Sequence, residues 1–280
     1  MEAVTPQEIL EMPDLIAVGV AGDDVRRQMH GRRTTFVRVL EMHVDAPLQS
    51  LPHGAQPGEL RIVGVPASLQ TAIAAIRAAA EVAGDVPVTG FSAADLFPLG
   101  AFDETSRLLK AAGLGAIAHL PIDLAADPRS TVDVIRNAGL AINTITVQEL
   151  EDERRLSLCE AARELQAAVG GFQAFAPLPR SISLTKPTTG YDDVKMVSLA
   201  RVMVTNVPSI QVDWQLYGPK MAQVALTVGA NDIDNVSAVD PGLLGTRRSP
   251  LEEINRNIRA AALEPVERDG LFRAGSWSPQ

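Results

Sequence analysis

A single cysteine, Cys159, occurs in 280 residues. One thiol closes no internal disulfide, builds no cysteine-cage zinc site and holds no iron–sulfur cluster, which needs three or four thiolates. Basic runs are missing as well. The 25 Lys and Arg are outnumbered by 34 Asp and Glu, a formal charge of −9. Affinity for a nucleic-acid backbone comes chiefly from basic neutralisation of phosphates, so nucleic acid is not the expected partner. No apolar stretch reaches the roughly 18 to 20 residues of a membrane-spanning helix. The first residues, Met1-Glu-Ala-Val-Thr-Pro-Gln-Glu8, carry neither the basic nor the apolar region of a signal peptide. A cytoplasmic chain with no membrane partner is expected. His30, His43, His53 and His119 show no His-x-x-x-His spacing, so no metal is expected. No Gly-x-Gly-x-x-Gly follows the early strands, and no Walker-type phosphate loop occurs.

What the chain does have is a hydrophobic fraction of 46%, enough for a large core, and an alternation of β-branched runs with helical segments that stop at glycine. Ser68 to Ala83 reads as a helix ending at Gly84, followed by a strand at Val86-Pro-Val-Thr-Gly90. Asp103 is expected to cap a helix through Ala112 before the strand Ala116–Leu120, and Asp127-Pro128 to open another that closes at Gly139 before Leu140–Thr146. Glu149 to Val169 reads as the longest helix. A strand at Phe172–Leu178 and a Pro/Ser/Thr loop to Gly190 follow. Then come a helix at Asp192–Val207, a strand at Ser209–Gln215, a helix at Pro219–Val228, a short strand at Asn231–Val236 and a helix at Leu251–Ala262. With Phe36–Met42 and Leu60–Val65 the count is about eight strands, most followed by a helix. The expected fold is α/β, a (β/α) TIM-like barrel in one domain over 1–280: an N-terminal helical segment over 1–33, the barrel over 34–236, and a C-terminal helix and tail over 237–280. Between Met42 and Glu59 the sequence holds Pro47, Pro52, Pro57, Gly54 and Gly58, too broken for a crossover helix. The first βα unit therefore reads as truncated, with a thin or open flank.

Ordinary barrel lumens are filled by Val, Ile and Leu. In Ser209–Gln215 one face is Ile210, Val212, Trp214 and the other Gln211, Asp213, Gln215, so the polar face is expected to point inward. His119, Asn143 and Gln173 point to the same cavity. These groups form either a small-molecule pocket or a polar plug whose members satisfy one another. His119, with Asp123 four residues on, is an acid/base candidate or a hydrogen-bonded structural histidine. Asp95 either meets a ligand or caps a helical turn, and Asn231-Asp232 forms either a tight turn or a pocket floor. Cys159 reads as a packed thiol.

Several segments carry a resemblance: Val25-Arg-Arg-Gln-Met-His-Gly31 with Thr35-Phe36, Gly170-Gly-Phe-Gln-Ala-Phe-Ala-Pro-Leu178, Ala200-Arg-Val-Met-Val-Thr-Asn-Val-Pro208, Trp214, Gly218-Pro-Lys-Met-Ala-Gln-Val-Ala-Leu226 and Gly229-Ala-Asn-Asp232. Together they resemble the radical S-adenosylmethionine enzymes of the aminofutalosine synthase and dehypoxanthine futalosine cyclase group, which act in the futalosine route to menaquinone. Deazaflavin-cofactor synthases are related to that group. The resemblance implies a barrel holding a [4Fe–4S] cluster on a Cys-x-x-x-Cys-x-x-Cys loop after the first strand. Here that stretch reads Glu41-Met-His-Val-Asp-Ala-Pro47. The family's Gly-Gly after the second strand is Gly64-Val-Pro66, its glycine-rich turn is Ala118-His-Leu-Pro-Ile-Asp123, and its Tyr-Gly-His segment is Val147-Gln-Glu149.

The expectation is a paralogue without the cluster motif, with neither [4Fe–4S] nor S-adenosylmethionine as cofactor. It would act as a binding or partner subunit beside a cluster-bearing homologue or a second copy of itself. A second expectation is a non-radical lyase, hydrolase or isomerase for a chorismate-derived or nucleoside-like molecule. His119, Asp213 and Asp95 are its candidate catalytic groups, and Asn143, Gln173, Gln211, Asn231 and Asp232 its candidate ligand contacts.

Overall fold

The computed structural model describes residues 4–181, 188–240 and 249–274. Part of the Pro/Ser/Thr loop before Gly190 and parts of the 237–280 tail lie outside them. The chain opens with two helices, α1 (Pro6–Glu11) and α2 (Leu15–His30), each started by a side-chain cap, Thr5 and Asp14. Strands and helices then alternate: β1 (Arg33–His43), β2 (Glu59–Val63), α3 (Leu69–Ala83), β3 (Val88–Ser92), the short α4 (Ala93–Leu96), α5 (Phe102–Ala112), β4 (Ala116–Pro121), α6 (Pro128–Asn137) and β5 (Ala141–Val147). There follow α7 (Arg155–Val169), β6 (Ala174–Pro179), α8 (Gly190–Met203), β7 (Ser209–Asp213), α9 (Trp214–Leu226), β8 (Asp232–Ser237), α10 (Pro250–Ala260) and β9 (Glu264–Glu267).

Strands β1 to β8 lie side by side in chain order, all parallel, and β1 bonds β8 on one edge and β2 on the other, which closes the barrel. The outer faces of the strands, with Leu60, Ile62, Ile210, Val212 and Ile233, pack under the helices in one continuous apolar core. Each such buried side chain contributes roughly 1.5–3 kcal/mol. Close packing reaches its limit at Gly22, where α2 lies on α8. A Cβ there would come within 2.1 Å of the Val228 carbonyl oxygen. Among the described residues, no helix is long and apolar enough to cross a membrane.

No helix joins β1 to β2, as the prolines and glycines of that stretch require, yet the flank is not open. Five residue pairs, Val39–Glu59 to His43–Val63, bond the two strands directly, and Leu48 and Leu51 of the connection pack on the core. Below them, β9 runs along Arg33–Phe36 of β1 on the same edge, so β1 has two successive neighbours there. The segment Glu264–Glu267 is thus a working part of the barrel wall.

Several boundaries differ from the sequence expectation, three of them for a reason visible in the side chains. Both carboxylate oxygens of Asp123 accept the backbone N–H groups of Gln148 and Glu149, each at 2.9 Å. That tie holds the segment off helical geometry, so α7 starts only at Arg155. The longest helix is instead α2, with 16 residues. The strand expected through Gln215 ends at Asp213, whose Oδ1 caps the amides of Gln215 and Leu216 at 2.9 and 3.0 Å and turns Trp214 into a helix. Asp103 is not a cap, since α5 starts at Phe102 and Asp103 pairs with Arg107 inside its first turns.

Candidate functional site

The lower lumen is a plug of charged groups. Arg61 on β2 donates to Glu59 from Nε and Nη2, at 2.8 and 2.9 Å, and to Asp234 on β8 from Nη1 and Nη2, both at 2.8 Å. Thr89 on β3 hydrogen-bonds the same Glu59 carboxylate. Beneath them Arg268, entering just after β9, grips Asp232 with two 2.7 Å bonds and stacks 3.8 Å over the Phe272 ring. Gln211 adds a 2.8 Å bond to Asp232. The space left among these groups is about 10 Å³, room for a single water.

Charge balance explains why the plug is tolerable. Burial works against the charge on Arg61, but the Asp234 and Glu59 carboxylates outweigh it and raise its pKa well above the ordinary value. Burial would likewise raise Asp234, but Arg61 and Arg268 hold it far below the usual carboxylate range. Ions taken out of water persist only when paired and hydrogen-bonded in this way.

Above the plug, at the C-terminal ends of the strands, a cavity of about 360 Å³ opens. This is the end of a parallel barrel at which ligands are met. Its polar wall is made by Glu41 at the end of β1, Arg61, Asp95 of α4, His119 of β4 and Arg180 just past β6, and its apolar wall includes Ile62, Phe91 and Leu124. Phe91 holds a left-handed backbone (φ 61°), and so does Asn235 (φ 59°), whose side chain donates to Glu41 at 3.0 Å. Two strained residues at one barrel mouth fit a site whose geometry is over-determined by its surroundings.

His119 is 8% exposed, and burial, followed by the nearby Arg180 and Arg61 cations, pushes its pKa well below the ordinary value. It stands there as a neutral imidazole. Burial also raises Asp95, which forms a capping box with Ser92, so this residue both caps a turn and lines the cavity. Asp213 is raised by burial and by Asp234, while Arg180 lies 3.4 Å from its carboxylate.

Of the residues singled out in the sequence, His119 and Asp95 meet at the mouth, with Asp213 behind Arg180. Asn143, Gln211 and Asp232 belong to the plug, Asn143 at 3.5 Å from the Gly270 carbonyl. The structure does not bring Gln173 or Asn231 to the cavity. Gln173 bonds the Gly171 carbonyl at the entry to β6, and Asn231 is a buried tie between Arg201 of α8, the Ile210 amide and Ser209. Asp123 is fully engaged with the two amides described above rather than with His119. Arg61, Arg180 and Glu41 are the site residues that the sequence reading missed. A charged Glu59-x-Arg61 pair on alternate positions of a strand was the available signal.

Two features bear on chemistry. Cys159 is fully buried in α7, its thiol pushed up to about 12 by burial. At the end of β1 and in the connection after it the candidate donors include His43 and Asp45, both exposed and 3.8 Å apart, and the exposed His53.

The closed parallel barrel is a fold shared with solved structures of low sequence identity. Over 94% of this chain the structure superposes on HydG, a maturase of the [FeFe]-hydrogenase, with a TM-score of 0.62 at 15% identity, covering 72% of that chain. It matches methylornithine synthase (PylB) with the same score at 11% identity, covering 94% of both chains. Residues 171–278 match the family described as the CofH/MqnC C-terminal region. The curated relatives agree. A 5-amino-6-(D-ribitylamino)uracil–L-tyrosine 4-hydroxyphenyl transferase 2 of Methanosarcina barkeri is 34% identical over 163 residues, 51% of this chain and 42% of the relative. The aminodeoxyfutalosine synthase of Thermus thermophilus is 33% identical over 136 residues, 43% of this chain and 36% of the relative. The chain spans about half the length, or less, of these relatives.

Proposed function

We propose that this chain is a small-molecule-binding barrel that carries out no radical chemistry of its own and serves as a binding or partner subunit beside a cluster-bearing relative. Its relatives are named for aminodeoxyfutalosine synthesis and for hydroxyphenyl transfer to a ribitylaminouracil, and the futalosine route to menaquinone is the setting that best fits the resemblance. The donor set carries the reading. A [4Fe–4S] cluster needs three or four thiolates. The only thiol of the chain is sealed inside α7, and the end of β1 with the connection after it offers two exposed imidazoles, His43 and His53, and the exposed Asp45 carboxylate. These residues do not fit the cluster.

Anaerobic reconstitution with iron and sulfide tests it. The protein should stay colourless and retain no iron, whereas four irons per chain and a brown chromophore overturn the reading. Co-purification with an aminodeoxyfutalosine synthase tests the partner role, and a strictly monomeric protein that ignores such relatives counts against it.

The neutral His119 imidazole at the mouth favours a second reading, non-radical acid/base chemistry by a lyase, hydrolase or isomerase. In that case His119→Asn and Asp95→Asn abolish turnover while leaving the melting temperature nearly unchanged.

A further inference from the structure

The mouth cavity holds two polar groups that the plug does not satisfy. Arg61 is saturated by two carboxylates, but Arg180 has a single described partner, Asp213, at 3.4 Å, long for a charge-assisted bond, which ordinarily measures about 2.7–2.9 Å. The side chain of His119, a residue more than nine-tenths buried, makes no hydrogen bond to any described residue, and it lines the same cavity. A molecule in the cavity can supply the hydrogen bond that the protein does not.

We propose that the cavity takes a small monocarboxylic acid with an apolar body, its carboxylate on the Arg180 guanidinium and a second polar group on His119. The inference rests on the reading of the barrel as a small-molecule binder and names the ligand class. The planar guanidinium fork matches a carboxylate, and Ile62, Phe91 and Leu124 supply an apolar wall for the body. A dianionic phosphate fits poorly. Glu41 and Asp95 share the cavity, and the side chains of Ser92 and Asp95 already cap the start of α4, so no free helix terminus faces the ligand. A volume of about 360 Å³ suits a molecule of one ring.

Calorimetry and thermal shift with benzoate, phenyl phosphate, benzyl alcohol and adenosine test this. Benzoate should bind and raise the melting temperature, with phenyl phosphate and benzyl alcohol at least about tenfold weaker. Arg180→Gln should weaken benzoate by about tenfold or more, and His119→Asn by a smaller factor. Glu41→Gln, which keeps the bond from Asn235, should tighten it by about threefold. Where Arg180→Gln lowers the melting temperature of the free protein, Arg180→Lys, which keeps the charge and loses the fork, replaces it. Unchanged benzoate affinity in the Arg180 variants overturns the proposal. Binding of phenyl phosphate or adenosine in place of benzoate overturns the carboxylate assignment and leaves the small-molecule reading standing. No binding by any probe overturns both, while iron content alone decides the question of the cluster.

Discussion

Arg61 and Asp234 face each other across the barrel floor through two parallel 2.8 Å bonds, although β1 separates their strands. The guanidinium spans the lumen and fixes the distance between β2 and β8. Its removal leaves Glu59 and Asp234 as uncompensated buried charges. Arg61→Met should therefore destabilise the fold by about 3–5 kcal/mol in chemical denaturation. Adding Glu59→Gln and Asp234→Asn should restore most of that loss, because the cost lies in the stranded carboxylates rather than in the missing attraction.

Asp213 behaves in the opposite sense. Its pKa is raised in the fold, so ionisation at neutral pH works against the native state, and the penalty vanishes as the pH falls below the ordinary carboxylate range. Asn still caps a helix. Asp213→Asn should hold or raise stability at pH 7 by up to about 1 kcal/mol and show no gain near pH 3, as measured by urea midpoints at the two pH values.

Two histidines make the fold sensitive to mild acid. His30 is lowered to about 4 by burial and by Arg201, and His119 is lowered well below its ordinary value by burial and the mouth arginines. For an imidazole with a depressed folded pKa, stability is complete above the unfolded value near 6.5 and falls with pH below it, since only the unfolded chain takes the proton. His30→Gln should remove roughly 1 kcal/mol of the loss between pH 6.5 and 5, an amount reduced by the partial exposure of His30. Melting curves across that range give the comparison.

Cys159 should be inert in the native state. Burial in α7 removes both access and thiolate character. At pH 8 a chromogenic disulfide reagent should react with one thiol per chain only after denaturant is added. Rapid reaction of the folded protein would show that α7 opens.

Helix starts and stops were the most legible part of the sequence. Ser68 and Asp127 cap α3 and α6, and Gly84 and Gly113 end α3 and α5, because these residues act on backbone within a few positions of themselves. The barrel followed from the count of strands and from the lack of a dinucleotide-binding or phosphate-binding glycine loop after the early ones. What sequence periodicity did not show was long-range pairing. Glu264-Pro-Val-Glu267 is too short for a strand pattern, and nothing local marks Arg268 as the partner of Asp232. The alternation that ran on through Trp214 and Gln215 was overridden by a single carboxylate cap at Asp213. At the site, His119 and Asp95 were found from their place at strand ends. Asn231 and Gln173 were not separated from scaffold residues, because both kinds of residue look equally polar in a list of strand positions.

The late entry of Arg268 has a consequence for synthesis on the ribosome. When β1 to β8 have all emerged, Asp232 still lacks its guanidinium and the lower edge of β1 lacks β9. A nascent chain at that stage carries an exposed strand edge above an unneutralised acid, which invites both chaperones and neighbouring chains. The emergence of β9 and Arg268, rather than the assembly of the eight staves, sets the moment at which this vessel becomes watertight.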